Sequence, residues 1–339
     1  MYSQIFRYIR KVCFLSIPFF LFVALYIYLD PLKVIGHYDN YYQNDARAHF
    51  SINQGYVSIS NYDNHYPEYE WDSFIFGNSR SRYWPIQDWM NYLPTGSKGY
   101  HMEAHSETLL GMLGKIEYIN KQAHPLKNAL LIIDSTILAN TESRDDYLFC
   151  IAPQLEDNSH WLAFHTRHFV SFCDKQFLES YLFHTFFKTS KVPSNIIHLE
   201  SFDYDYTKNE ISYDEYEQQI SKGTYYTDEL VKHFFGGEQY PDSLEKPTIK
   251  AKQVSMLRNI KKIFDKQGTN YKIVINPVYN QIRISPQDIA KLNEIFGEEY
   301  VFDFSGKNRF TSDYHNYYEF SHYRPIVSRQ ILDSIYKTF

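Results

Sequence analysis

The alternation of apolar and polar positions divides the chain before any single residue is weighed. Val12 to Leu29, VCFLSIPFFLFVALYIYL, holds no charged side chain. Eighteen helical residues rise about 27 Å, close to a bilayer's hydrocarbon thickness, so the run reads as a membrane-spanning helix. Pro18 is compatible with it, since spanning helices accommodate proline. Residues 30–70 show no apolar period and read as an irregular approach rich in Asp, Asn and Tyr. A regular alternation then starts. WDSFIFGNS gives a buried strand, Asp72 to Phe76, running into Gly77-Asn78-Ser79. A second strand is expected near Gly99–Met102. Ser106 then reads as an N-cap, with Glu107 in the first turn of a helix whose Leu109, Met112, Leu113, Ile116 and Ile119 share a 3.6-residue period. Asn128 to Thr136, NALLIIDST, is the continuous apolar run of a strand buried on both faces. Met256, Leu257, Ile260 and Ile263 line one side of a further helix. YKIVINP is another buried strand, ending at Asn276 and Pro277, and Tyr300–Phe304 is the last. Pro325 opens a closing helix with Val327, Ile331, Leu332 and Ile335 as its stripe.

Strands alternating with helices at these lengths imply parallel crossovers, hence an open α/β sheet with helices on both faces. Ligands of such sheets gather outside the carboxyl ends of the strands, where Ser79 lies. Residues from about 140 to 250 interrupt the alternation. WLAFHTRHFVSFCDKQFLESYLFHTFF is aromatic and helical in character; SFDYDYTKNEISYDEYEQQISKGTYY is acidic and loop-like with short helices. An insertion of that length between core strands is expected to form a lid or subdomain over the strand ends. The chain thus divides into an N-terminus (1–11), an anchor (12–29), an approach segment (30–70) and an α/β domain (71–339) carrying the insertion.

Charge narrows the partners. The 34 basic and 40 acidic side chains sum to −6, and no long Lys/Arg cluster supplies the basic face a nucleic-acid binder needs. The 32 tyrosines and 26 phenylalanines read as a bias of composition and not as a function. Arg7, Arg10 and Lys11 precede the apolar run, so the positive-inside rule puts the N-terminus in the cytoplasm and everything past Asp30 across the membrane. LYIYLDPLK offers no small-x-small cleavage site, which favours an uncleaved anchor over a signal peptide. Cys150 and Cys173 fall in the exported part, where a disulfide persists; a bridge and two separate thiols are both open.

A serine hydroxyl is a weak nucleophile and needs a base, itself oriented by a third group. NYYEFSHYRP, Asn316 to Pro325, supplies Glu319 and His322 three residues apart. On a turn or first helical turn that spacing brings the carboxylate to imidazole Nδ1 and leaves Nε2 to face Ser79. Arg80 and Arg82 follow the serine and can attract an anionic polymer, although a structural ion pair is the simpler reading. Asp134 either points into the cleft or caps the following turn. His165 and His168, with His184 further on, read as an aromatic-packed group, and no metal or cofactor is expected.

Gly-Asn-Ser at the end of the first strand, with an acid-x-x-His element before the last helix, resembles the SGNH/GDSL hydrolase superfamily. The nearer likeness is to its membrane-anchored, exported branch acting on acyl esters of bacterial surface polymers. The resemblance covers the order of elements from Asp72 to the C-terminus and is specific in those two blocks. It implies a flavodoxin-like α/β/α sandwich with a parallel sheet. It makes Ser79 the nucleophile, His322 the general base and acid, and Glu319 the orienting carboxylate. The chain departs from the family in three places. Asn78 stands where Asp is commoner, Glu319 replaces the usual Asp (Asp313 being the fallback), and the middle blocks are not recognisable. Those blocks supply an oxyanion hole with a glycine amide and an asparagine side chain. Backbone near Ala104–Ser106 is the substitute for the first, Asn276 or Asn78 for the second, and Arg80 is a further candidate for holding substrate. The expected function is a serine esterase or O-acyltransferase working on O-acyl groups of a cell-envelope polysaccharide. It would sit in the bacterial cytoplasmic membrane and, for transfer, take acyl groups from a membrane donor partner. The alternative is a non-catalytic glycan-binding or assembly protein with the same fold.

Overall fold

A computed structural model describes residues 2–42, 49–187, 197–198, 202–236 and 243–337. Five strands form one all-parallel sheet: β1 (Ser73–Gly77), β2 (Gly99–Glu103), β3 (Asn128–Ile133), β4 (Asn270–Ile275) and β5 (Val301–Asp303). Their spatial order is β2-β1-β3-β4-β5. The longer helices are α1 (Tyr2–Leu29), α2 (Gln54–Tyr69), α3 (Leu109–Lys121) and α4 (Trp161–Phe172). They continue with α5 (Lys175–Phe187), α6 (Ala251–Gln267), α7 (Pro286–Phe296) and α8 (Pro325–Tyr336).

Strand side chains alternate between two cores, which is why the strands read as unbroken apolar runs. Phe74, Phe76, Leu131, Ile133, Ile273 and Ile275 pack under α2, α3, α6 and α7. Ile75, Leu130, Ile132 and Val274 face the other way, onto α8 and the short helix Ile86–Met90. The apolar stripes expected of α3, α6 and α8 are the ones these cores use.

Several expectations are corrected. The approach segment is not irregular: α2 occupies Gln54–Tyr69, capped by Asn53, whose side chain accepts from Tyr56 N at 2.9 Å. Most of its buried face is polar: Gln54, Ser58, Ser60, Asn61 and His65. Ser58 Oγ donates to the Glu103 carbonyl at 2.5 Å and Ser58 O accepts from Tyr100 OH at 2.8 Å. A helix held to a strand by hydrogen bonds leaves no apolar period to detect. Ser106 is not the cap of α3. It is left-handed (φ 51°), and Thr108 caps the helix by accepting from Gly111 N at 2.9 Å. Glu107 turns to the buried Lys115 ammonium, 2.6 Å away. Helix α7, which the apolar pattern did not suggest, begins at the Ser285 cap and Pro286.

The insertion contains α4 and α5, the hairpin of Asp203–Asp205 and Glu210–Ser212, and the short helices Asp214–Ser221 and Asp228–Phe234. The hairpin covers the outer edge of β2: His101 N donates to Lys208 O at 2.9 Å, and Asn209 Nδ2 donates to His101 O at 2.7 Å. A sheet edge is thereby closed to other chains. Helix α1 extends well before Val12, and its stretch Gln4–Leu29 is long and apolar enough to cross a membrane. The Asp30 carboxylate ends it by collecting the backbone N–H groups of Val34, Ile35 and Gly36 at 2.7–3.0 Å. Cys13, Cys150 and Cys173 are all free thiols, so the 150–173 bridge that the sequence left open does not form.

Candidate active site

Strand β1 ends in Gly77 because nothing larger fits there. A Cβ would lie 2.7 Å from Ser81 Cβ and 2.8 Å from the Ile132 carbonyl oxygen. Asn78 then caps a 3-10 turn, Ser79–Tyr83, its side-chain oxygen accepting from Arg80 N at 3.1 Å. The turn puts Ser79 at the carboxyl end of the sheet, half-buried. Behind it, Ser81 Oγ donates to Asn78 O at 2.7 Å and lies 3.0 Å from His101 Nε2. The serine has one hydrogen, so Nε2 is the donor in the second bond and His101 is the Nε2–H tautomer. Its Nδ1 has no hydrogen-bond partner among the described residues, and burial pulls the ring's pKa down to about 3.

Glu319 and His322 do not sit on a helical turn. They face each other across a tight antiparallel hairpin, Tyr317–Glu319 with His322–Tyr323, paired directly in its register. His322 Nδ1 hydrogen-bonds Glu319 Oε1, and Ser321 N donates to Oε2 at 2.8 Å. A carboxylate only accepts, so Nδ1 carries the proton and Nε2 is left as an acceptor. Nε2 stands 2.9 Å from Ser79 Oγ. Burial raises the Glu319 pKa, but the hydrogen bond and charge of His322 outweigh it, and the net shift is downward. The three side chains named from two distant blocks therefore form a hydrogen-bonded series, Ser79 to His322 to Glu319, although Ser79 and His322 are 243 positions apart in the chain.

The other sequence candidates have different occupations. Asn78 Nδ2 and Asn276 Nδ2 both point at Asp134 Oδ2, at 2.8 and 3.3 Å. Asn276 Oδ1 accepts from Tyr323 OH at 2.6 Å, and that hydroxyl accepts from Trp84 Nε1 at 2.6 Å. Both asparagines are almost fully buried, so neither amide faces the serine's reaction space. Arg80 does not reach for substrate: Nη1 pairs with Asp134 Oδ2 at 2.7 Å and Nε donates to Ser321 O at 3.0 Å. Asp134 caps the next turn with its other oxygen, accepting from Thr136 N and Ile137 N at 2.9 and 3.1 Å. Burial would raise its pKa, but Arg80, Thr136 and Asn78 hold it below the usual carboxylate range. Asp134 is thus the hub that ties the Ser79 turn (Asn78, Arg80), strand β4 (Asn276) and, through Arg80, the histidine hairpin. Asp313 caps the turn Tyr314–Asn316 and holds His315 Nδ1 at 2.8 Å. His168 Nδ1 sits 2.8 Å from the Phe164 carbonyl inside the insertion, and the His165 ring lies tilted against Trp161 at 4.4 Å.

Ser79, His322 and Glu319 open into a cavity of about 690 Å³, within the usual range for a small-molecule site. Its walls are largely aromatic: Tyr83 and Tyr318 come from the core, and Phe149, Tyr213, Tyr216 and Tyr225 from the insertion. The aromatic surplus therefore has a use that composition alone did not disclose; Tyr213 and Tyr216, one helical turn apart and stacked at 5.6 Å, were its sequence signal. Glu217 clamps the insertion to the hairpin, accepting from Arg324 Nη2 at 2.7 Å and from Tyr318 OH at 2.7 Å. Arg82 borders the cavity, pairing with both oxygens of buried Glu103 at 2.7 and 2.8 Å. Burial disfavours its charge, but the Glu103 carboxylate more than offsets that.

Among the described residues that line the cavity, backbone N–H groups are candidate donors to a bound oxyanion. The first N–H of a helical turn has no partner within the turn, which describes Ser79 N. Ala104 N is spent on Gly77 O at 3.2 Å, and the backbone of Ser106 lines the cavity beside Ser79. In searches against known proteins, no family model and no curated protein matches this chain.

Proposed function

We propose that this chain is a membrane-anchored, exported serine esterase or O-acyltransferase of the SGNH type, acting on O-acyl groups of a bacterial cell-envelope polysaccharide. The observation that carries the reading is the contact of Ser79 Oγ with His322 Nε2 at 2.9 Å, the imidazole being held from behind by Glu319. The strand order β2-β1-β3-β4-β5, with cores on both faces, supports the flavodoxin-like arrangement of that superfamily. The charged residues ahead of the apolar stretch support an N-terminus in the cytoplasm.

Ser79 Oγ attacks the ester carbonyl carbon as His322 Nε2 takes its proton. The new imidazolium is stabilised by Glu319, and the oxyanion by Ser79 N–H and the Ser106 backbone. Collapse breaks the bond from carbon to the leaving alkoxide, which takes the proton from His322. Water or a sugar hydroxyl then attacks the acyl-serine, His322 again removing a proton, and as the bond from the acyl carbon to Ser79 Oγ breaks His322 returns that proton to Oγ and the acid or new ester leaves. Transfer requires an acyl donor delivered at the membrane; no cofactor enters the steps. Aromatic walls suit the apolar faces of sugar rings and an acyl chain alike.

A second reading, a glycan-binding or assembly protein without turnover, is favoured by one feature: the amides of Asn78 and Asn276 are committed to Asp134, so neither side chain reinforces the oxyanion. Loss of one such donor typically costs ~10²–10³ in turnover and leaves the reaction class intact. The test is labelling with a serine-directed fluorophosphonate. The enzyme reading expects the wild type to react and Ser79→Ala and His322→Ala not to. A folded wild type that stays unlabelled supports the binding protein.

A further inference from the structure

Helix α4 carries an uncharged outer face made of Trp161, Leu162, Thr166, Phe169, Val170 and Cys173, the last closing the helix. Trp161, Leu162 and Val170 are 52, 71 and 61 % exposed, a density of bare apolar surface that a water-facing helix does not keep. Its one arginine, Arg167, turns aside to Asp145 at 3.2 Å. What lies against the same helix is the anchor. Phe169 meets Phe19, Phe22 and Tyr26 of α1 at ring-centroid distances of 5.2–6.4 Å, and Phe172 meets Phe22 and Tyr26 at 5.6 and 5.1 Å. Phe19 is ten residues before Leu29, about 15 Å down a helix, or half the hydrocarbon thickness of a bilayer. The Asp30 turn leaves no slack between anchor and domain.

We infer that α4 is a membrane-surface helix, set in the outer leaflet beside the anchor with Trp161, Leu162 and Val170 in contact with lipid. This rests on α1 spanning the membrane and is independent of the acyl-transfer chemistry. Continuity with α1 selects lipid as the occupant: a helix whose rings touch the anchor at Phe19 and Phe22 shares the anchor's surroundings, and a Trp at the end of an uncharged helical face is the pattern of interfacial insertion. At the helix's C-terminal end, Lys175 has a stem long enough to reach the headgroups, and the Asp174 carboxylate is spent on the start of α5, accepting from Gln176 N and Phe177 N at 2.9 and 3.0 Å. The consequence is positional. Tyr147 meets His168 of α4 edge-on at 5.9 Å, and Asn53 Nδ2 donates to Tyr147 O and Cys150 O at 2.9 Å each. The Phe149 wall of the cavity is thus tied to the lipid-bound helix, which keeps the site at the membrane surface and not at the end of a flexible stalk.

Three of the four tryptophans, Trp71, Trp84 and Trp89, are buried in the α/β domain, so Trp161 reports on α4 by itself. The full-length chain is reconstituted in phosphatidylcholine vesicles with and without brominated acyl chains, and tryptophan emission is compared. Bromine-dependent quenching is expected in the wild type, lost in Trp161→Phe, and restored when Val170→Trp is added to Trp161→Phe. Absence of quenching, or equal quenching in Trp161→Phe, overturns the inference. Alkaline carbonate extraction of the same vesicles separates the two readings: protein that resists extraction but shows no Trp161 quenching sinks the surface helix alone, whereas extracted protein sinks the spanning anchor and the inference with it.

Discussion

Replacing Glu319 by Gln is the perturbation whose size the geometry fixes best. Both carboxylate oxygens of Glu319 accept an N–H, from His322 Nδ1 and from Ser321 at 2.8 Å. A glutamine has one acceptor oxygen, so it must present an NH₂ donor to one of those two donors. Charge adds to the loss. When Ser79 attacks, His322 becomes cationic, and two unit charges about 4 Å apart at an effective dielectric of ~20 attract by ~4 kcal/mol. The pair is about a quarter exposed, at 26 and 23 %, and solvent screening brings this to ~3 kcal/mol. At 1.36 kcal/mol per decade the expected loss is ~10²-fold, rising toward ~10³-fold with the mismatched hydrogen bond. The assay is the second-order rate of fluorophosphonate labelling at neutral pH, with urea unfolding as the control for the fold. A rate within about threefold of wild type, under 1 kcal/mol, would refute the orienting role.

Other predictions follow from neighbouring contacts. Asp134→Asn leaves the Arg80 guanidinium, 17 % exposed, without its carboxylate; breaking such a pair costs ~3–5 kcal/mol, read as a lowered urea midpoint with slower Ser79 labelling, and an unchanged midpoint contradicts the hub. His101 is neutral when folded, its pKa pulled to about 3 from 6.5. As pH falls from 6.5 toward 3 the unfolded chain therefore takes up a proton that the folded chain refuses, and stability drains away. His101→Gln should flatten that part of the stability–pH curve, and an equal slope in both proteins argues against it. Gly77→Ala forces a Cβ into contacts under 3 Å and should cost ~1–3 kcal/mol in unfolding free energy; a neutral effect would mean the turn has room the structure denies it. All three cysteines are free, so thiol titration of the denatured, unreduced protein should find three and a reductant should leave the melting temperature unchanged.

The sequence disclosed most where one kind of force acts alone. Strands buried on both faces and helices with a plain apolar stripe were legible as such, as was the pairing of Ser79 with Glu319 and His322, because each block is local and its residue types have few other uses together. The parts that were not legible are those where polar contacts replace apolar ones. Helix α2 hides its inner face behind Ser58, Asn61 and Gln54. The true cap of α3 is Thr108, two residues after Ser106, because Glu107 is claimed by Lys115. The Asp134 hub joins residues from three distant segments, and no spacing rule links Asn78, Asp134 and Asn276. The same hub explains why the two asparagines proposed for an oxyanion face inward: next to a buried carboxylate, an amide donor is more stable bound to the charge than left toward solvent. The cavity walls were missed for another reason, since tyrosines spread through an insertion converge only when it folds over the strand ends.

The central claim is that Ser79 becomes acylated. The purified full-length protein is mixed with an activated acetyl ester, quenched in acid within seconds, and examined by intact-mass spectrometry and peptide mapping. The account predicts one added acetyl group on the peptide containing Ser79, absent in Ser79→Ala and in His322→Ala. Acetylation that persists in Ser79→Ala, or none on a folded wild type, would contradict it.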